Sequence, residues 1–435
     1  MKKFNIVRLG CPKNDADMDI FRGILEKNNY SYEEDAKKCD YIFIDTCGFI
    51  ESAKEESINT ILGYAELKKT NKNLKIIAIG CLIERYFENF KKELKEADGL
   101  FGVVPPQVIF DKINNGNMFF KLPEPMDVYE CNERYIPNTS YAYVKIGDGC
   151  NRNCAFCSIP SFKGAPMSRS IEDIKKEVEF LVKNGKKEII LVSQDNTLYG
   201  INLYKKQALP DLLKELNSIE GEFWIRVMYL HPDFLTDEII ETIHNTPKVV
   251  KYFDVPMQHG SDKILNRMGR IKKTKDLFKM IEKIRKNPNA VLRTSIVVGF
   301  PGETNEDFEK LLNFVNKIEF DKLGGFAYSP EENTEAFTMD GQVDEKIKEK
   351  RLEELMMLQK DISEEIMIKH IGKNMKVLIE EKTDNVYVGR TFMDAPEIDG
   401  NIIFKCNKTL KIGNFINVKI NNAYEYDLEG EVLDE

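Results

Sequence analysis

A chain of 435 residues is longer than one ordinary domain and can bury two or three sizeable cores. Its 63 Lys+Arg stand against 72 Asp+Glu, and the net charge of −9 excludes a global basic field for nucleic acid. Nine cysteines, odd in number and gathered in polar loops, argue against a secreted disulfide framework and for a reducing cytoplasm. No apolar run reaches the roughly 18 to 20 residues of a membrane span, and Asn5 and Arg8 interrupt the short start that a lipoprotein signal ending at Cys11 would need.

Residues 1–135 alternate strands and helices. Strands expected at 4–9, 41–45 and 75–79 each run into a cysteine, at Cys11, Cys47 and Cys81. Helical patterns follow, as at 52–69 with Ile58, Ile61, Leu62 and Ala65 on one side. Such alternation builds a doubly wound parallel sheet with crossover helices, whose ligands gather at the carboxyl ends of the strands. Three cysteines at three strand ends therefore point to a metal site, most simply an iron-sulfur cluster with one iron left open. The alternative is three separate buried thiols. Cys39 precedes its strand and reads as packing.

Residues 122–138, with Pro123, Pro125 and Pro137 among charged side chains, mark a linker. Beyond it, strands are expected at 141–146, 188–193, 223–230, 249–255, 291–298 and 322–327. Ser170 with Asp173 three residues later starts the first helix, and Asn184-Gly185 stops it. Six such units fall short of the roughly 250 residues of an eightfold barrel and read as a partial (β/α)6 barrel. Its functional face lies at the strand carboxyl ends. There the chain places the loop 149–157, Gln194-Asp195, Gln258-His259 and the turn 299–303, and their shared face points to a common ligand.

Within the loop 149–157, Cys150, Cys154 and Cys157 stand at CxxxCxxC spacing. No fourth cysteine is near; Cys131 and Cys406 lie elsewhere. Three thiolates can hold a cubane of four irons and leave one iron open, whereas ferredoxin runs close it with a further cysteine. Zinc usually takes a fourth Cys or His, and His231, His244, His259 and His370 lie far downstream. An open iron can bind S-adenosylmethionine through its amino and carboxylate groups and deliver an electron to it. Reductive cleavage of that sulfonium yields a radical able to take hydrogen from an unactivated carbon.

A long charged helix is expected at 344–371, ending at Gly372 and packing Leu355, Leu358 and Ile362 on the barrel. Short alternating strands follow in residues 371–435 and suggest a small antiparallel β-barrel. That tail has 8 Lys+Arg against 12 Asp+Glu. Its acidic stretch, with Asp394, Glu397 and Asp399, suits a basic protein partner better than RNA.

On these motifs the chain resembles the radical S-adenosylmethionine methylthiotransferases. Cys150, Cys154 and Cys157, with Phe156 before the last, match the radical signature. Residues 299–303 are similar to the glycine-rich adenosine-side motif, departing by one residue in the spacing to Glu303. The upstream trio and the terminal barrel match the rest, which implies an N-terminal methylthiotransferase domain (1–135), a radical core (136–370) and a TRAM-like substrate-binding domain (371–435). The resemblance further implies two [4Fe-4S] clusters, one on Cys11, Cys47 and Cys81 and one on Cys150, Cys154 and Cys157. It implies S-adenosyl-L-methionine as radical source and methyl donor, with contacts from Phe156, Gln194 and Gly299, and it assigns no separate catalytic side chain.

The strings at 9–14, 46–50 and 394–400 resemble the RimO branch of that family. That likeness implies methylthiolation of the β-carbon of an aspartate in small-subunit ribosomal protein twelve, a basic partner met alone or on the ribosome. It also implies a flavodoxin or ferredoxin as reductant and a cytoplasmic monomer with no membrane. The tRNA-modifying, MiaB-like branch usually has glutamine where this chain has Pro12 and is the alternative. A noncatalytic iron-sulfur carrier is the rival from another class.

Overall fold

In the N-terminal third, β1 (Lys2–Arg8), β2 (Tyr30–Tyr32), β3 (Tyr41–Thr46), β4 (Lys75–Gly80), β5 (Gly99–Phe101) and β6 (Phe119–Phe120) form one parallel sheet in the order 2-1-3-4-5-6. The computed structural model describes residues 1–123, 131 and 133–433. Alternate residues of the central strands point to opposite faces, and both faces are covered. Phe43, Ile77 and Ile79 pack with Phe21 and Phe110 on one side, and Ile42, Ile44, Ile76 and Ala78 pack with Ile61 and Phe87 on the other. The chain steps out from β1 to β2 and returns beside β1 as β3, so the switch point of this doubly wound sheet lies between the strands that lead to Cys11 and Cys47.

The linker expected at 122–138 lies partly outside the described residues. Arg134, which is described, is buried rather than solvated. It donates to Asp19 Oδ2 at 3.1 Å and to the Tyr143 carbonyl at 2.7 Å, and it pairs with Glu177.

The central region holds β7 (Tyr141–Lys145), the short antiparallel pair β8 (Gly147–Asp148) and β9 (Met167–Ser168), and then β10 (Glu188–Val192), β11 (Trp224–Val227), β12 (Tyr252–Asp254), β13 (Val291–Val298) and β14 (Lys322–Ala327). Strands 7, 10 and 11 form one parallel run and strands 12, 13 and 14 another. A parallel bridge between Ile225 and Val249 joins them into the curved sheet of a partial barrel. The third strand ends earlier than expected, before Tyr229, which has a left-handed backbone (φ 55°) and donates its N–H to Asp254 Oδ2 at 2.9 Å, and the fourth is shortened to Tyr252–Asp254. The helix Ile171–Lys183 starts as expected, with Ser170 Oγ accepting from the Asp173 N–H, and Gly185 follows its end at φ 91°. The long helix runs Glu345–Ile368, capped by Asp344, and buries Leu355 and Ile362. None of the helices among the described residues is long and apolar enough to cross a membrane.

The tail closes into a barrel of β15 (Asn374–Thr383), β16 (Val386–Arg390), β17 (Ile402–Lys405), β18 (Phe415–Ala423) and β19 (Leu428–Val432). One seam departs from the antiparallel expectation, since β17 runs parallel to β19.

The acidic stretch of the tail turns Asp394 and Asp399 inward and leaves Glu397 exposed. It plugs the amino ends of the barrel strands, opposite the functional face. Asp394 pairs with Lys322 at 2.7 Å, Asp399 accepts from the Tyr252 hydroxyl at 2.5 Å, and Glu397 accepts from the Tyr141 hydroxyl at 2.6 Å. Just before the stretch, Arg390 reaches Glu188 Oε2 at 2.7 Å, while Arg226 takes the other oxygen of Glu188 at 2.6 Å. All three of these side chains are essentially inaccessible, so their charges depend on one another. Arg390→Met removes the cation between Glu188 and Glu380 and is expected to cost about 3–5 kcal/mol, read from the urea midpoint. Lys419→Met on the exposed barrel surface is expected to stay within about 0.5 kcal/mol.

Candidate functional site

Parallel strands release the chain along a single edge, and the N-terminal trio sits on that edge. Cys11 caps the helix Pro12–Lys27, Cys47 follows β3, and Cys81 opens the helix Cys81–Glu93 directly after β4. Strands 1, 3 and 4 are neighbours in the sheet, so the three thiols lie side by side, and Cys81 is within electrostatic reach of both Cys11 and Cys47. Ser57 braces the Cys47 loop by accepting from its N–H at 3.1 Å and donating to its carbonyl at 3.2 Å.

The second trio lies in the loop after β7 and β8. Gly149 begins it at φ 78°, where a Cβ would stand 2.2 Å from the Ala165 carbonyl oxygen, so only glycine fits. The Arg152 N–H points to Cys150 Sγ at 3.4 Å, and the Arg152 side chain donates to Asp195 Oδ2 at 3.0 Å. Ala155 is tied on both sides, to the Met268 carbonyl at 3.1 Å and the Ala336 N–H at 2.8 Å. Near Cys154 stands His231, whose Nε2 is 3.7 Å from the sulfur and in contact with Arg270. Burial, with Arg270, Arg152 and Lys272 around it, pushes His231 down to about 2, so the imidazole is neutral. Sequence distance placed every histidine far from this loop, and folding overturns that for His231.

Burial pushes Cys150 up to about 11 and Cys157 up to about 12, and it raises Cys154, Cys47 and Cys81 as well. Thiols held this way ionise when a metal takes their charge, so loading the sites releases protons. Among the described residues no group of three His, Cys, Asp or Glu gathers tightly enough for a single metal ion. The first trio spreads its thiols over three adjoining strand ends, and the second gathers them in one loop. Backbone N–H groups point at Cys150, at Cys47 from Phe49 and at Cys157 from Ile159. Sulfur donors with N–H partners fit an iron-sulfur cluster ligated at three irons.

The residues expected to contact S-adenosylmethionine lie in three different loops on this face. Phe156 is half-buried and meets Phe300 edge-on, with ring centroids 6.4 Å apart. Gln194, after β10, has a buried Oε1 with no hydrogen-bond partner, an acceptor available to a ligand. Gly299 turns at φ 72°, and a Cβ there would come within 2.3 Å of Lys348. Its N–H donates to Glu303 Oε2 at 2.7 Å, so its role is to shape the turn. Glu303 is fully engaged, accepting also from the Phe300 N–H at 3.2 Å and from Arg351 at 2.9 Å, with His259 at 3.3 Å. The one-residue offset at Glu303 thus yields a brace for the turn.

The two cysteine faces meet across a seam of buried charge. Lys163, six residues beyond Cys157, pairs with Asp148 at 2.8 Å and lies within electrostatic reach of Cys81. Lys145 reaches across to Asp17 at 2.7 Å. Glu331, after β14, takes Lys54 and Arg85 on one oxygen, each at 3.1 Å. Lys54 lies seven residues after Cys47 and Arg85 four after Cys81, so one carboxylate clamps both cysteine loops onto the core. Sequence reasoning found none of these groups, because charged residues in helical segments read as a solvated face.

Similarity to known proteins follows the same three parts. Residues 144–315 match the Radical SAM superfamily, 371–433 the TRAM domain, and 3–102 a family described as Uncharacterized protein family UPF0004. The chain is 62% identical over 436 residues to the ribosomal protein uS12 methylthiotransferase RimO of Petrotoga mobilis, covering 100% of both. It is 53% identical over 427 residues to the protein of the same name from Thermotoga maritima, covering 98% of each. Among solved structures, the radical S-adenosylmethionine methyltransferase TsrM from Kitasatospora setae, with cobalamin and a [4Fe-4S] cluster bound, shares the fold. The TM-score is 0.56 at 12% identity, over 89% of this chain and 81% of that one.

Glu331→Ala leaves the buried Arg85 without a carboxylate and Lys54 with Glu51 alone, and is expected to cost about 3 kcal/mol. Hydrogen exchange is expected to rise in the helices Glu51–Ala65 and Cys81–Glu93 while the tail barrel stays protected. Unchanged exchange in those helices would show that the seam does not depend on this carboxylate.

Proposed function

This chain belongs to the RimO family of radical S-adenosylmethionine methylthiotransferases, and from that membership we propose that it adds a methylthio group to the β-carbon of an aspartyl residue in ribosomal protein uS12. The observation that carries the reading is the placement of two separate three-thiol sites on facing edges of two parallel sheets. Cys150, Cys154 and Cys157 would hold one [4Fe-4S] cluster and Cys11, Cys47 and Cys81 a second. Bound there with S-adenosylmethionine, these groups would supply the electron, the hydrogen abstraction from an unactivated carbon, and the sulfur and methyl of the product.

The side chains of this chain hold that chemistry in place. Phe156 and the turn at Gly299 shape the S-adenosylmethionine pocket, and the unmatched Oε1 of Gln194 accepts a hydrogen bond from the ligand. Arg152 with Asp195 fixes the loop of the second trio, so that its thiols present one geometry. The buried pairs Lys163–Asp148 and Lys145–Asp17 keep the seam closed and exclude water from a radical reaction. A flavodoxin or ferredoxin serves as reductant, and the enzyme acts in the cytoplasm as a monomer on a basic ribosomal protein.

Anaerobic assay of the reconstituted protein with uS12 and, separately, with tRNA, read by mass spectrometry, tests the reading. Methylthiolated uS12 with unmodified tRNA is expected, and the converse would overturn it. Cys47→Ala is expected to abolish methylthiolation while some 5'-deoxyadenosine still forms. Unimpaired methylthiolation by that variant would remove the N-terminal trio from the mechanism.

A further inference from the structure

Most cations at the seam are matched to carboxylates, while Arg270 beside Cys154 meets only His231 and the Pro256 carbonyl among the described residues. Lys145 and Lys163 have Asp148, Lys54 and Arg85 have Glu331, and Arg152 has Asp195. Lys13 has no ion pair and no side-chain hydrogen bond among the described residues. An ammonium drawn out of bulk water and left unpaired is costly, so its retention at such a place calls for a reason.

Its position supplies one. Lys13 stands two residues after Cys11, in the first turn of the helix Pro12–Lys27. Its Nζ lies 4.3 Å from the centroid of the Tyr229 ring, which belongs to the opposite domain. Tyr229 is held there in a left-handed backbone conformation, uncommon for an aromatic residue, by its N–H to Asp254. The ammonium is within electrostatic reach of Cys11 first and, more weakly, of Asp148, two residues before Cys150. Lys13 therefore sits between the two cysteine trios, where the reacting carbon has to be. A ring face engages a cation diffusely and leaves its N–H donors available to an anion.

The substrate chemistry names that anion. In an aspartyl residue the carboxylate is bonded directly to the β-carbon, so whatever grips the carboxylate fixes the reacting carbon one bond away. We propose that Lys13 binds the side-chain carboxylate of the aspartate to be modified and thereby selects aspartate over its uncharged isostere asparagine. This rests on the aspartate-modifying function proposed above. The Tyr229 ring holds the ammonium in place before the substrate arrives, and the incoming carboxylate completes the ion pair that the fold leaves open. A site built for a charged partner rejects a guest lacking that charge, because its own half-buried cation then stays unpaired.

Equilibrium binding without reductant tests this on the full-length, cluster-loaded protein. The probes are uS12 and uS12 carrying asparagine at the modified position, measured against wild type, Lys13→Met and Lys13→Arg. Wild type is expected to bind the aspartate form roughly 10- to 100-fold more tightly than the asparagine form. Lys13→Met is expected to bind the two forms within about 2-fold, and Lys13→Arg to retain most of the preference. Equal discrimination by wild type and Lys13→Met, or none by wild type, would overturn the proposal. Loss of iron and sulfide from Lys13→Met with the preference intact would instead assign Lys13 to the cluster. Failure of the underlying function reads differently, since wild type would then leave uS12 unmodified in the reductant-driven assay whatever the binding ratios.

Discussion

Everything at this site depends on two parallel sheets meeting with their carboxyl edges turned toward each other. A parallel sheet ends all its strands on one side, so residues far apart in sequence collect along one line. Cys11, Cys47 and Cys81 collect on one edge and the loop of Cys150, Cys154 and Cys157 on the other. Bringing the edges together forces polar loops into contact away from water. That contact is stable because most of its buried charges meet an opposite one, with Asp17, Asp148 and Glu331 at its centre. Ion pairs of this kind add little net stability over apolar contacts, but they permit few alternative alignments, which suits two sites that must be kept in register.

The other end of the partial barrel is closed by the same means. The loop between β16 and β17 feeds Asp394, Glu397 and Asp399 to Lys322, Tyr141 and Tyr252, residues at the amino ends of three strands. The tail thus seals the end away from the chemistry. The charges of Asp394 and Asp399 are spent within the chain, and Glu397 keeps an exposed face.

The cysteines were legible because their meaning is local. Spacing within nine residues showed the second trio, and repetition at three strand ends showed the first. Strand positions were also legible, since buried parallel strands such as those at Cys47 and Cys81 read as unbroken apolar runs. The early end of the strand before Tyr229 was not, because a left-handed bend at a tyrosine has no compositional signal. Lys13, Glu331, His231 and Arg270 were missed for another reason. Lysine, glutamate and arginine look the same in sequence whether solvated or buried, and only a partner from a distant segment distinguishes the two.

The sequence by itself determined the two cysteine trios as candidate donors, the order of the three matched regions and the family, because these are written in residue type and short spacing. Tertiary structure decided what each charge is for. It turned the acidic tail from a docking face into a plug, and it made Glu303 a brace for the Gly299 turn. It also moved His231 to within 3.7 Å of Cys154 and left Lys13 unpaired between the two trios. A carboxylate or an ammonium takes its role from what stands within a few ångströms of it, and that neighbour is fixed only when the sheets close on each other.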